Sequence, residues 1–431
     1  MRLKKPLAWT AAGAAAFLLL VIALLWLGAR TSAARRAASE YLSALTGLPV
    51  TVGSLAIGLL PTPSMELGGL AMAQPPGFDS ESLLELGSAH MAVPWSVVFG
   101  GEPVLRSVSI SGATVRAAIA VDGADNWSAL IARLSALGGG EASGWFIGRF
   151  DVERSALEFR DAVTGSQWRL TAITAGAQSI APASDFPVEL RLGGVHGANT
   201  FHFALTGHAS LDPDASHYAG RDLTLRGWVG GEPLPLAGIE LAGSTAVASF
   251  DGKTGVATIR GGTMTFAGIR SAFRLDASDG DGEASLNFAL RTEPFSPRAA
   301  ASAFGRPLPT TNDPQAFHTL QLAIGGRMQA GRLRLDPVEG RLDDTGFAGH
   351  ALPQLRQFRL HADRIDMDRY LAPERTEPKA VSDPEATLEA ALAELGKLDI
   401  DAEIRIDEVR VAGARLRDAL LKFERNDAAP P

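Results

Sequence analysis

Two rhythms of apolar and polar residues run along this chain. From Pro6 to Ala29 no charged residue occurs. About 24 residues at 1.5 Å each make roughly 36 Å of helix, enough to cross a hydrocarbon core of about 30 Å. Trp9 and Trp26 stand near the two ends of this run, where amphipathic rings sit at the headgroup layers and act as membrane anchors. The rival reading is a cleaved signal peptide, with Arg2, Lys4 and Lys5 as its basic start and small residues from Ser32 to Ala34. The apolar run exceeds the usual length of such a core, so a retained transmembrane anchor over 6–29 is expected, preceded by a short N-terminus, 1–5, on the cytoplasmic side. Arg30, Arg35 and Arg36 come directly after the span, so positive charge flanks both ends and does not orient it. A hydrophobic N-terminal segment ahead of a long domain nonetheless carries that domain across the membrane. Ser32 to Thr46 lacks Pro and Gly and stops at Gly47, Leu48 and Pro49, so 30–47 reads as a juxtamembrane helix.

From Val50 onward the apolar period is two, in short runs separated by Gly, Pro, Asp and Asn. Val115, Ala117, Ile119 and Val121 alternate with residues that include Thr114 and Arg116. Leu157 and Phe159 alternate with Glu158 and Arg160, and Val188, Leu190 and Leu192 with Glu189 and Arg191. Phe201, Phe203 and Leu205 face away from His202 and Thr206, as Ile269, Phe273 and Leu275 do from Arg270, Arg274 and Asp276, and Leu333 and Leu335 from Arg332 and Arg334. The pattern predicts a mainly β protein whose long antiparallel sheet has one aliphatic and one charged face. Parity switches at Gly53–Ser54 and Gly68–Gly69 predict bulges or bends that curl it. Helices are few. Trp127, Leu130, Ile131, Leu134 and Leu137 share one face of a short helix that is placed to cover an open end of the apolar surface; Pro297 to Phe304 is a second candidate, and Leu388, Leu392 and Leu395 mark a third. The resulting division is 48–371 for the β domain, 372–396 for a linker and short helix, and 397–431 for C-terminal strands and a tail.

Composition narrows the chemistry. With 46 Gly, 25 Pro, 7% aromatic and 20% charged residues in 431, the balance suits many strands joined by turns. A net charge of -8 without a basic stripe argues against a nucleic-acid partner. The absence of cysteine excludes thiol catalysis, thiolate metal sites and disulfides. His196, His202, His208 and His217 match no common zinc spacing. Asp276, Asp279, Asp281 and Glu283 with Gly280 and Gly282 read as a polar hairpin turn rather than a calcium loop. No G-x-S-x-G, P-loop or dinucleotide motif occurs, so no enzyme, no catalytic residue, no metal and no cofactor is expected. Asn126 and Trp127 read as an Asn-initiated turn with Trp closing a helix face. If the aliphatic face curls into a trough, Val115, Ile119, Phe159, Leu190, Phe203 and Phe273 are the candidate lining for acyl chains. Alternation alone favours the other arrangement, in which two such faces close on each other as a β-sandwich core.

Several segments resemble the AsmA family of Gram-negative envelope proteins. TGLPVTVGSLAIGLLPTPSMELGGLAMAQPPGF at Thr46 to Phe78 and VLRSVSISGATVRAAIAVDGADNWSAL at Val104 to Leu130 look like its N-terminal half, with Asp122, Gly123, Asn126 and Trp127 the most specific piece. EPFSPRAAASAFGRPLPTTNDPQAFHTLQL at Glu293 to Leu322, GRLRLDPVEGRLDDTGFAGH at Gly331 to His350 and FRLHADRIDMDRYLAP at Phe358 to Pro373 resemble its other conserved region, in the same order. The resemblance implies a single-pass inner-membrane protein with a large periplasmic domain and a groove-shaped β structure similar to bridge-like lipid-transfer proteins. It also implies phospholipid as partner and a role in lipid transport and outer-membrane assembly, influencing protein targeting to the membrane. Family members continue past strands resembling those at Leu398 to Arg425, so the final strand here is expected to offer an edge to other envelope proteins. The alternative function is a periplasmic scaffold or regulator of outer-membrane protein assembly that binds no lipid and has a closed sandwich core.

Overall fold

The computed structural model describes residues 31–78, 81–137, 145–212, 216–232, 234, 238–278, 284–329, 331–373, 401–411 and 413–423. The anchor expected over 6–29 with Trp9 and Trp26, the helix expected at Leu388 to Leu395, Asp279, Asp281 and Glu283 of the polar turn, and the tail from 424 lie outside these residues. Among the described residues no helix is long and apolar enough to cross a membrane.

Strand makes up 64% of the described residues, and the chain divides into two compact units, Met1–Pro213 and Asp214–Pro431. The first opens with helix α1, Ser32–Thr46. The Thr31 side chain accepts from the Ala34 N–H at its start, and Gly47 ends it at φ 78°, a left-handed conformation that glycine adopts without a Cβ clash. Strands β1 (Val50–Gly58), β2 (Ser64–Met72) and β3 (Leu84–Ala92) then form an antiparallel meander. A short helix, α2 (Trp95–Val98), precedes β4 (Val104–Leu105) and β5 (Ser107–Ile119). Helix α3 (Ser128–Leu137) leads to β6 (Phe146–Asp161), and β7 (Gln167–Ile180), β8 (Asp185–His196) and β9 (Asn199–Asp212) complete the unit.

The antiparallel expectation needs correction at two places, the first in this unit. β6 runs parallel to both β4 and β5, because the connection through α3 carries the chain across before it re-enters the sheet, as parallel pairing requires. The sheet is therefore mixed. β1 pairs only with β2 in this unit, and the sheet stays open.

Helix α1 closes the first half of the free border of β1 with side chains one turn apart. Ser43 Oγ accepts the Val50 N–H at 2.8 Å, Ser39 Oγ accepts the Val52 N–H at 3.0 Å, and Arg35 donates to the Gly53 carbonyl at 2.9 Å. The match is geometric: four helical residues rise about 6 Å, close to the roughly 6.6 Å between alternate residues of a strand.

A crease crosses the first sheet. Gly53 opposite Gly69 and Gly87 opposite Gly112 drop out of the paired register. The Cα of Gly69 lies 3.4 Å from where a Cβ on Gly53 would stand, and a Cβ on Gly87 would meet the Ser111 carbonyl at 2.9 Å. Gly69 and Gly112 have φ of 62° and 66°, and the line continues through Arg154 at 48° on β6 and Ala172 at 52° on β7, beside further shifts of register. At this crease the apolar parity changes, from Val50 and Val52 to Leu55 and Ile57, so the same side of the sheet stays apolar on both sides of it.

The second unit is a meander of β10 (His217–Gly231), β11 (Ile239–Asp251), β12 (Val256–Phe266), β13 (Ile269–Ser278) and β14 (Ser285–Thr292), then helix α4 (Pro297–Ala303). Strands β15 (Leu320–Gln329), β16 (Arg332–Leu342), β17 (Thr345–Leu352) and β18 (Gln357–Asp366) come next. After helix α5 (Met367–Tyr370), β19 (Asp401–Val411) lies parallel to β18, a second departure from the antiparallel expectation, and β20 (Ala414–Phe423) pairs antiparallel with β19. This unit bends by the same device, with Asp222 at φ 49° on β10, Gly261 at 64° on β12 and Asp418 at 55° on β20, each beside a gap in the register.

Candidate functional site: the apolar sheet faces

The pairing aligns apolar residues into rows. In the first unit one row runs Val50, Met72, Leu84, Val115, Leu157, Leu170, Gly194, Phe201 across eight strands. Val115, Ile119, Phe159, Leu190 and Phe203 all fall on the face that carries this row: Phe159 sits opposite Trp168, Leu190 between Ala175 and Leu205, and Phe203 opposite Leu192. Phe273 heads the equivalent row of the second unit, Phe273, Leu290, Ile324, Val338, Gly349, Leu360, Ile404, Leu421.

Among the described residues, cover over these faces is local. Ala38 and Leu42 of α1 and Leu130 of α3 pack on Val50, Val52, Leu70, Met72 and Leu83, the buried cluster of this unit. Arg133 of α3 ties the two helices together by donating to the last carbonyls of α1, Ala44 and Leu45, at 2.8 and 3.0 Å. Ile131, which shares the predicted apolar face of α3, points away and is 56% exposed. Beyond β3 burial is uneven: Phe186 and Phe201 are buried, whereas Val115, Ile119, Phe159, Leu190 and Phe203 are half-buried, as is Phe273 in the second unit. Trp168, on the same face, is 40% exposed. Its ring stacks on His196 with centroids 3.8 Å apart, and the period of two puts it on the apolar side opposite Phe159. In the second unit the buried cluster is Ala362, Ile406 and Val409, closed by Met367 of α5.

The polar residues singled out by the sequence mostly hold structure. Asn126, 2% exposed, accepts the Ala118 N–H at 2.9 Å and donates to the Arg116 carbonyl and to Gln74 Oε1, both at 2.8 Å. The cap of α3 is its neighbour Asp125, whose carboxylate accepts the Trp127 and Ser128 N–H groups and the Ser128 hydroxyl; that hydroxyl first, then the two N–H groups, holds the acid below its usual range. Trp127 does close on the sheet, 6.1 Å from the Phe159 ring. Of the four histidines, His196 is engaged with Trp168 and lies 3.0 Å from the Gln167 carbonyl.

A polar clamp unseen in the sequence fixes the loop between α4 and β15. Asp343 accepts the N–H groups of Phe317, His318 and Thr319 and the Tyr370 hydroxyl, all within 3.0 Å. Burial pushes the Asp343 carboxyl up, but these four bonds together outweigh it and hold it below the usual carboxylate range. Burial and the bond to Asp343 raise the Tyr370 phenol. Arg369 bridges Asp313 and Asp344 at 2.7 Å each. Tyr370 and Asp343 are 27 residues apart, and no local motif announces such a pair.

Among the described residues the geometry thus offers two extended aliphatic surfaces that are half-buried over much of their length and covered locally by helices. Against the models of known protein families the chain matches none. A comparison with curated proteins likewise gives no match.

Proposed function

We propose that the chain is a membrane-anchored, non-enzymatic envelope protein of the AsmA type. Its apolar sheet faces accommodate the acyl chains of phospholipid and so influence outer-membrane composition and assembly. The observation that carries this reading is that Val115, Ile119, Phe159, Leu190, Phe203 and Phe273 are only half-buried although they lie on the apolar faces of their strands. A sandwich core buries such residues almost completely. Each acyl methylene withdrawn from water contributes about 0.8 kcal/mol. A chain filling half of a hydrocarbon core, about 15 Å, crosses about three strands at 4.8 Å spacing, fewer than each row offers. Recognition by area alone discriminates poorly between lipids, which suits transport of bulk phospholipid.

Photocrosslinking amino acids placed at Val115, Phe203 and Phe273 are expected to capture phospholipid in cells. Those at Arg191, Thr206 and Arg226, on the opposite faces, are expected to capture none. Equal capture from both faces, or protein capture in place of lipid at the apolar positions, overturns the reading and favours the scaffold.

A further inference from the structure

The charged face of the second unit carries a hollow of about 900 Å³. Its floor is made of small residues that the register brings side by side: Ala272 and Ala323 flank Arg291, and Ala289 stands between Arg274 and Gly325. Its walls are arginines. Arg274 rises from β13, Arg291 from β14, Arg327 from β15 and Arg334 from β16, against two carboxylates, Asp336 and Glu339. Four cations against two anions leave two positive charges in one concavity of a chain whose net charge is -8.

The arrangement is electrostatically unfavourable by itself. Arg327 sits directly across from Arg334, and like charges opposite one another destabilise a sheet. Arg334 turns to Asp336 at 2.6 Å. Among the described residues the guanidinium groups of Arg274, Arg291 and Arg327 have neither an ion pair nor a hydrogen bond. Three free guanidinium forks around a bed of Ala and Gly fit an anion with several oxygen acceptors, because each fork binds two oxygens of one phosphate in its own plane. Arg274, Arg291 and Arg327 rise from three successive strands about 4.8 Å apart, a spread of donors that a ligand with more than one phosphoryl or ester oxygen group engages more fully than orthophosphate.

The geometry points to a binding site for a phosphate-bearing ligand larger than orthophosphate, a diphosphate or a phosphate ester, on the charged face of the second unit. The phosphate comes from a soluble metabolite or from a lipid headgroup. The strands that line the hollow also carry Phe273, Leu290 and Ile324 of the apolar row, but the charges come from residues of the opposite parity.

The test uses the full chain in detergent at low ionic strength, titrated calorimetrically with pyrophosphate in one arm and with monomeric dihexanoyl phosphatidic acid in the other. Arg291→Gln and Arg327→Gln are each expected to weaken binding at least tenfold, and added salt to weaken it further. Arg226→Gln, an exposed arginine outside the hollow, leaves it unchanged. Ala289→Leu fills the floor without altering charge and is expected to weaken binding at least fivefold. Binding of pyrophosphate identifies the phosphate group as the recognised feature, and binding of the lipid alone identifies the headgroup as its source. Absence of binding in both arms, or equal affinity in wild type and the two arginine variants, overturns the proposal. Val115→Arg separates the two sites: it is expected to abolish lipid crosslinking on the apolar face while the pyrophosphate titration stays as in wild type.

Discussion

Asp343 gathers three backbone N–H groups and a phenol around one carboxylate, and hydrogen bonds to a charged acceptor contribute roughly 1.5–3 kcal/mol. Asp343→Asn is accordingly expected to cost about 2 kcal/mol in urea unfolding. The pH dependence has a definite sign. The folded acid titrates below the unfolded value of 3.8, so its contribution is present above that pH and is lost as pH falls through the folded value. Tyr370 titrates above its unfolded value of 10.0, so its contribution is complete below pH 10 and disappears as pH rises beyond it. Unfolding midpoints measured across pH are expected to show both losses in wild type, and Tyr370→Phe is expected to remove the alkaline one. None of this was legible in the sequence, because each partner lies tens of residues from the acid. Asn126 was half legible. Its place in a turn was readable, whereas its bond to Gln74, 52 residues before it, depends on which strands become neighbours.

Among the elements, the creases separate what alternation reveals from what it hides. The parity switches at Gly53–Ser54 and Gly68–Gly69 were readable because glycine interrupts the apolar phase there. Their extension through Arg154 and Ala172 was not, since neither residue type advertises a positive φ. A left-handed conformation costs a non-glycine residue roughly 1–2 kcal/mol. Gly69→Ala, which also brings a methyl toward Gly53, is therefore expected to lower stability by about 1–2 kcal/mol. Ala172→Gly is expected to leave it unchanged or raise it by up to about 1 kcal/mol. A stability loss in Ala172→Gly matching that of Gly69→Ala would count against the crease as a site of backbone strain. Strand direction was also hidden. A strand shows the same apolar phase whichever way it runs, so the parallel pairs of β6 with β5 and of β19 with β18 left no mark on the pattern.

For the molecule as a whole, alternation showed that one face of each strand is apolar but not whether protein covers it. Open trough and closed sandwich both demand one aliphatic face per strand. Exposure distinguishes them, and it predicts unequal responses to the same substitution. Val52→Glu places a charge beneath α1, where Val52 is 8% exposed, and is expected to cost more than about 4 kcal/mol. Phe203→Glu lies on a half-buried stretch of β9 and is expected to cost less than about 2 kcal/mol, leaving a folded chain with reduced lipid capture. Circular dichroism melting of the two variants checks the contrast.

The seal that α1 makes along β1 has a consequence for assembly. Sheets grow by templating, when an unsatisfied strand recruits another from a neighbouring molecule. With Ser43, Ser39 and Arg35 already occupying the Val50 and Val52 amides and the Gly53 carbonyl, the first half of that flank is blocked to an incoming strand. A long apolar surface can thereby coexist with a first strand whose opening residues are closed to templated growth.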